Sequence, residues 1–205
     1  MPEEANLTDQ SVVVKARRAE LCSSHGRETV EMGVTKSSID VILFEPRRGR
    51  LKGPTVGHTY ANLIFHVVFS TKERRPLIHD SSRLRLFEYL SGLARNEFRG
   101  ALSVGGMDNH VHGLIVLAPD TSVADAMRQW KALSSKWVHE TFPDEGDFGW
   151  QEGYGAFSVS QSNVPQVAAY IEKQAEHHKK ITFEDEFLAL LKRHGIAYDP
   201  RDVWD

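Results

Sequence analysis

Ala101-Leu102-Ser103-Val104-Gly105-Gly106-Met107-Asp108-Asn109-His110-Val111-His112-Gly113-Leu114-Ile115-Val116-Leu117 is the stretch from which the fold can be read. Ala101 to Met107 and His110 to Leu117 are two apolar runs of strand length. Between them Asp108-Asn109 tolerates the positive φ of a tight turn, so the stretch predicts a β-hairpin. Upstream, Ser81 or Ser82 can cap a helix running to about Phe98, with Leu84, Phe87, Leu90, Leu93 and Ala94 inward and Arg83, Arg85, Arg95 and Arg99 outward. Further upstream, Tyr60 to Ser70 alternates, with Leu63, Phe65, Val67 and Phe69 on one face and Ile64, His66 and Val68 on the other, as a central strand does. Downstream, Thr121 or Ser122 caps a helix to Thr141 with Val123, Ala126, Met127, Trp130, Leu133 and Trp137 inward. Tyr154 to Ser160 makes one more strand, and Ser162 or Asn163 opens a third helix to about Lys180, with Pro165 tolerated in its first turn. Strand, helix, strand, strand, helix, strand is the α+β ferredoxin-like split βαβ order, an antiparallel sheet with helices on it, here followed by an additional helix.

The chain has 205 residues, 40% of them hydrophobic, enough for one domain with a buried core. Its single cysteine, Cys22, rules out an internal disulfide or a cysteine metal cluster and suits a reducing cytoplasm. No run reaches the roughly 18 apolar residues of a membrane span, which points to a soluble protein with no membrane partner. A formal charge of -3 gives no global basic signature, so nucleic-acid binding would have to come from local patches.

Residues 1 to 57 are polar and poor in aromatics, apart from a short strand-like run, Asp40 to Phe44, and a linker-like stretch from Pro46 to Pro54. They read as a loose extension or an over-long translation start, with a basic DNA-binding arm as the alternative. The acidic tail over residues 181 to 205 carries Phe187, Leu188, Leu190 and Leu191 at helical spacing before Gly195, a helix that packs on the core or gates a site.

Alternation on a strand places His110 and His112 on one face with Val111 on the other, so both imidazoles can grip one divalent ion; a packed or surface pair is the competing reading. On the third helix Tyr170 and Gln174 project from neighbouring turns, with His177 one turn further, on the flank of a core stripe of Val164, Val167, Ala168, Ile171 and Ala175. A partly buried packing role would by itself explain Tyr170.

Gly106-Met107-Asp108-Asn109-His110-Val111-His112 together with Tyr170-Ile171-Glu172-Lys173-Gln174 resembles the single-tyrosine HUH transposases of bacterial insertion sequences and their repeat-associated relatives. Matching stretches at His66 to Lys72, Arg74 to Ile78 and Phe183 to Trp204 extend the likeness over most of residues 58 to 205. The resemblance implies a catalytic domain over 58 to 180 in which His110, His112 and Gln174 hold Mg²⁺ or Mn²⁺ and Tyr170 is the nucleophile. It further implies single-stranded DNA with a hairpin as substrate, cleavage through a 5′-phosphotyrosine, and a homodimer that shares active-site parts, in the cytoplasm with the nucleoid. Lys72, Arg74 and Arg75 are candidate DNA contacts, with a solvated basic face as the equal alternative, and Arg128, Lys131 and Lys136 are weaker candidates for which the solvated face is the plainer reading. His177 and His178 are candidate bases, with solvated helix-end histidines as the alternative.

A histidine-triad nucleotide hydrolase would need a third alternating histidine where Leu114 stands. Relaxases share the paired histidines and tyrosine but are larger. The rival of a different class is a hairpin-binding protein of the same fold that no longer moves DNA.

Overall fold

The alternation around Tyr60 to Ser70 is realised as β1 (Leu63–Ser70), a strand covered on both faces. The computed structural model describes residues 60–201, 203 and 204, so the readings of residues 1 to 57 lie outside the described residues. After β1 come α1 (Asp80–Glu97), β2 (Gly100–Gly106), β3 (His110–Leu117), α2 (Val123–Thr141), β4 (Gly155–Ser158), α3 (Val164–Glu172), α4 (Gln174–His177) and α5 (Phe183–Arg193). The sheet runs β2-β3-β1-β4 with every neighbouring pair antiparallel. This is the ferredoxin-like order, in which the first strand sits inside the sheet between the third and the fourth.

One face of the sheet is dry. Val67, Phe69, Val104, Val111 and Ile115 meet Leu86, Phe87, Leu90 and Ala94 of α1 and Ala126, Met127 and Trp130 of α2. Trp130 is fully buried and donates its indole N–H to the Leu90 carbonyl at 2.9 Å. It lies directly over β3, where a Cβ on Gly113 would come within 2.4 Å of its ring, so only glycine leaves room for the indole.

The opposite face is covered by the C-terminal helices. Ile64 and Leu114 pack with Ile171 of α3, while Val68 and Phe157 pack with Phe183, Leu190 and Leu191 of α5. His66, His110 and His112 lie on this same face and are all buried. Among the described residues no helix is long and apolar enough to cross a membrane.

Local details depart from the sequence reading. His79, not Ser81 or Ser82, is the cap residue of α1, and Ser82 is instead buried, donating to Glu145 Oε2 at 3.1 Å. Arg83 turns inward beside Asp80, to which it is bonded at 2.5 Å, while Leu84 is 47% exposed. The positive φ of the hairpin falls on Gly106 (155°) rather than on Asp108-Asn109. The reason is steric: a Cβ at Gly106 would lie 2.2 Å from the His110 carbonyl oxygen. The third helix breaks at Lys173 (φ -100°, ψ 19°), separating α3 from α4, and the next residue, Gln174, has its amide satisfied in a buried polar cluster.

Candidate metal and nucleophile site

β3 sets His110 and His112 side by side, ring centroids 5.0 Å apart and both fully buried. A buried imidazole needs a partner for each nitrogen, and the outer nitrogen of each ring has one. His110 Nδ1 lies 2.7 Å from Asn109 Oδ1, and His112 Nδ1 lies 2.9 Å from His66 Nε2 on β1. His178, just beyond α4, has its Nδ1 3.0 Å from the Ile181 carbonyl. A carbonyl oxygen only accepts, so His110 and His178 carry a proton on Nδ1; an Nδ1 proton on His112 likewise suits the lone pair of His66. The Nε2 atoms then converge.

They converge on Glu186 of α5, whose side chain is 2% exposed. Its Oε2 lies 3.1 Å from His178 Nε2, 3.3 Å from His112 Nε2 and 3.8 Å from His110 Nε2. Donor atoms of His110, His112, His178 and Glu186 all fall within 4.8 Å of one another. His112 Nε2 and Glu186 Oε2 are buried with no hydrogen-bond partner, a costly pair of orphans for which a shared divalent cation is the natural partner. The donor set therefore fits a metal ion.

Glu186 Oε1 faces the other way, accepting the Tyr170 hydroxyl and, at 3.0 Å, the amide N–H of Gln174. Gln174 Oε1 lies 2.9 Å from His178 Nε2 and 3.4 Å from His110 Nε2. Tyr170 also lies 3.5 Å from His177 Nε2 and stands edge-on to His66 and His112. It opens onto a cavity of about 510 Å³ that is also lined by His66, Phe157, Arg193 and His194.

Burial, and then the hydrogen bond to Glu186, push the Tyr170 phenol above its ordinary pKa, so it is protonated at neutral pH. Burial followed by the neighbouring His112 lowers His66 to about 3, and the same two causes lower His110. His177 is also lowered, by burial. Burial would lower His178 too, but the Glu186 carboxylate 3.1 Å from its Nε2 prevails and raises it. Burial alone would raise the Glu186 carboxyl; the imidazoles of His112 and then His178 beside it, with the Tyr170 hydroxyl, hold it below the carboxylate range.

Of the residues singled out in the sequence, His110, His112, Tyr170 and Gln174 come together, and His177 borders them. The basic residues lie elsewhere. Arg74 donates to the Trp204 carbonyl and pairs with Glu184, Arg75 pairs with Asp147, and Arg128 pairs with Asp125 on the surface of α2. Lys131 donates to the carbonyls of Gln151, Glu152 and Gly153, and burial lowers its pKa to about 8. Lys72 is exposed. Glu186 was missed by sequence reasoning, and so was the inward turn of His178. The available signal was position: Glu186 stands three residues after Phe183 and four before Leu190, on the buried stripe of α5 where a carboxylate needs a reason to be.

Comparison with known proteins bears on this arrangement. The family described as "Transposase IS200 like" matches residues 59–174. The transposase for insertion sequence element IS200 of Salmonella typhimurium is 28% identical over 131 residues, 61% of this chain and 85% of the relative. The ISDra2 transposase TnpA of Deinococcus radiodurans is 24% identical over 139 residues, 65% of this chain and 94% of the relative. A solved crystal structure from Deinococcus radiodurans aligns with 58% of this chain and 97% of its own, at 25% identity and a TM-score of 0.46. With the family match spanning more than half of its length, this chain belongs to the IS200-like transposases.

Proposed function

We propose that this chain cuts and rejoins single-stranded DNA at hairpin-marked ends, with Tyr170 as the nucleophile and a 5′-phosphotyrosine as the intermediate. The observation that carries the reading is the Tyr170 hydroxyl donating to the same carboxylate that faces His110, His112 and His178. A nucleophile, a proton acceptor and a candidate cation site thus share one buried residue. Attack by the phenol oxygen forms an O–P bond at Tyr170 and breaks the bond to the 3′ oxygen of the preceding nucleotide. The phenol loses its proton, and the departing 3′ oxygen gains one. Because the phenol is protonated at rest, proton removal accompanies attack, and Glu186 Oε1 is the acceptor in contact. The phosphotyrosine keeps the energy of the broken diester, so a second 3′ hydroxyl can reverse the step without ATP. Mg²⁺ or Mn²⁺ at His110 and His112, with Gln174 alongside, would supply charge neutralisation on the scissile phosphate.

In this reading Lys72 and Arg128, both exposed, contact phosphates, while Arg74, Arg75 and Lys131 would first have to leave their internal partners. The protein works in the cytoplasm beside the nucleoid, as a homodimer, through its domain over residues 58 to 180. The test is end-labelled hairpin DNA incubated with Mn²⁺ and resolved on a denaturing gel. Wild type should give an adduct mapped by peptide mass to Tyr170, absent in Tyr170→Phe, which still binds the hairpin. Tight binding without any adduct in wild type would replace the nuclease with a hairpin-binding module.

A further inference from the structure

We propose that the cavity walled by β4, α3 and α5 seats one nucleotide of the single strand, with its phosphate on Arg193 and its base on His194. This rests on the DNA-cutting reading above and concerns the C-terminal end of α5. One face of α3, from Asn163 through Gln166 and Val167 to Tyr170, lines the cavity, and so does one face of α5, from Glu186 through Leu190 to Arg193. The Tyr170 hydroxyl donates to Glu186, which fixes where these two faces meet. Arg193 stands two helical turns further along α5, about 10 Å from that junction. A volume of about 510 Å³ admits a base together with its sugar and phosphate.

Charge favours a phosphate at Arg193. It is the only lysine or arginine lining the cavity, it is exposed, and among the described residues it has no hydrogen bond or ion pair. Arg74, Arg75, Arg128 and Lys131, in contrast, are each committed to a carboxylate or to backbone carbonyls. Glu186, the one carboxylate in the cavity wall, is already turned to Tyr170, Gln174 and the histidines. Burial raises the Tyr170 phenol and the positive charge of Arg193 opposes that rise, so the guanidinium is near enough to act on a strand drawn up to the hydroxyl. A planar guanidinium with its donors free suits two oxygens of one phosphate.

His194 supplies the stacking surface. One face of its imidazole lies on Phe157, with centroids 4.6 Å and planes 29° apart, and among the described residues the other face has no ring partner. A stacking ring beside a cation is the combination that holds single-stranded nucleic acid. The amides of Asn163 and Gln166, both exposed, line the same cavity and offer donors and acceptors to a base edge. Because Tyr170 stands where the two helix faces meet, the phosphate on Arg193 is the neighbour of the one attacked.

The test is binding of the full chain to the hairpin DNA in chelator, so that neither cleavage nor the cation enters. A single uncharged methylphosphonate is moved through the linkages of the single-stranded flanks. In wild type, one linkage should weaken binding about tenfold when neutralised. In Arg193→Ala that substitution should cost nothing further, while other sensitive linkages keep their effects. Arg193→Lys should recover only part of the loss, since an ammonium is a point charge. His194→Ala should weaken binding of the intact strand, and an abasic nucleotide at that linkage should remove the difference. With Mn²⁺ restored, the adduct should map to the adjoining linkage. An Arg193→Ala loss that adds to every methylphosphonate alike would overturn the subsite, and an adduct at Tyr170 in wild type would then leave the nuclease reading standing. Coupling at one linkage without any adduct would keep the subsite and remove the nuclease. Both replaced side chains are exposed, so neither variant opens the core.

Discussion

On the face of the sheet covered by α1 and α2, β3 contributes Val111 and Ile115 to an apolar core closed by Trp130; on the opposite face the same strand contributes His110 and His112 to a cluster closed by Glu186. Both faces are buried, and both are closed by a helix that follows in sequence. They differ in what burial does. On the apolar face, removing carbon from water stabilises the fold directly. On the other face, burial strips solvent from imidazoles and a carboxylate, costs stability, and leaves donor atoms that a cation can use. Strand alternation is what keeps the two chemistries a side chain apart.

The largest break in this comparison comes from the apolar side. Trp130→Ala removes the largest fully buried side chain, and such truncations cost about 3–5 kcal/mol. Urea unfolding should show that loss, while the fraction still folded should bind Co²⁺ with near wild-type affinity. A matching collapse of metal affinity would mean that the two faces are not separable.

The sequence was informative where a local rule carried the structure. Period-two alternation in β1 and β3 located both faces, and Ser122 capped α2 as its residue type predicts. It was silent where a distant partner decided the local geometry. The break at Lys173 lies in a stretch with no proline or glycine, and the amide of the next residue, Gln174, bonds to Glu186 on a separate helix. Arg83, placed outward by its polar character, is instead buried, with its guanidinium paired to Asp80 one turn back. Glu186 stood outside the family's expected ligands, on a helix read by its leucines, so its role emerged only when α5 was laid over β3.

A second prediction sharpens the contrast through pH. His66 titrates at about 3 in the fold against roughly 6.5 when unfolded. The folded protein therefore binds fewer protons between these values, and the stability held above pH 6.5 is lost as pH falls through that window. His110 acts in the same direction, and so does Glu186 lower in the range, while His178, raised in the fold, contributes below its ordinary value and loses that contribution as pH rises. In chelator, urea midpoints at pH 6, 5 and 4 should fall steeply for wild type. His66→Gln, which keeps an acceptor for His112, should reduce the slope by about 1.4 kcal/mol per pH unit. Parallel slopes would mean that His66 is not a buried neutral imidazole.

The smallest effect compares two caps of the same design. Ser122 Oγ accepts the Asp125 N–H at 3.0 Å and donates to its carboxylate at 2.8 Å; Thr182 Oγ1 does the same with Asp185 at 3.1 and 2.8 Å. Replacing either by alanine should cost about 1 kcal/mol. Their reach differs, because α2 presents its first turn to the surface, whereas Glu186 lies on the first turn and a half of α5. Thr182→Ala should therefore loosen the segment that carries Oε2 and weaken Co²⁺ binding, with Ser122→Ala leaving it unchanged at equal loss of stability. Equal metal affinities in the two variants would show that α5 is held over the histidines by Phe183, Leu190 and Leu191 alone, with the cap contributing only to the helix itself.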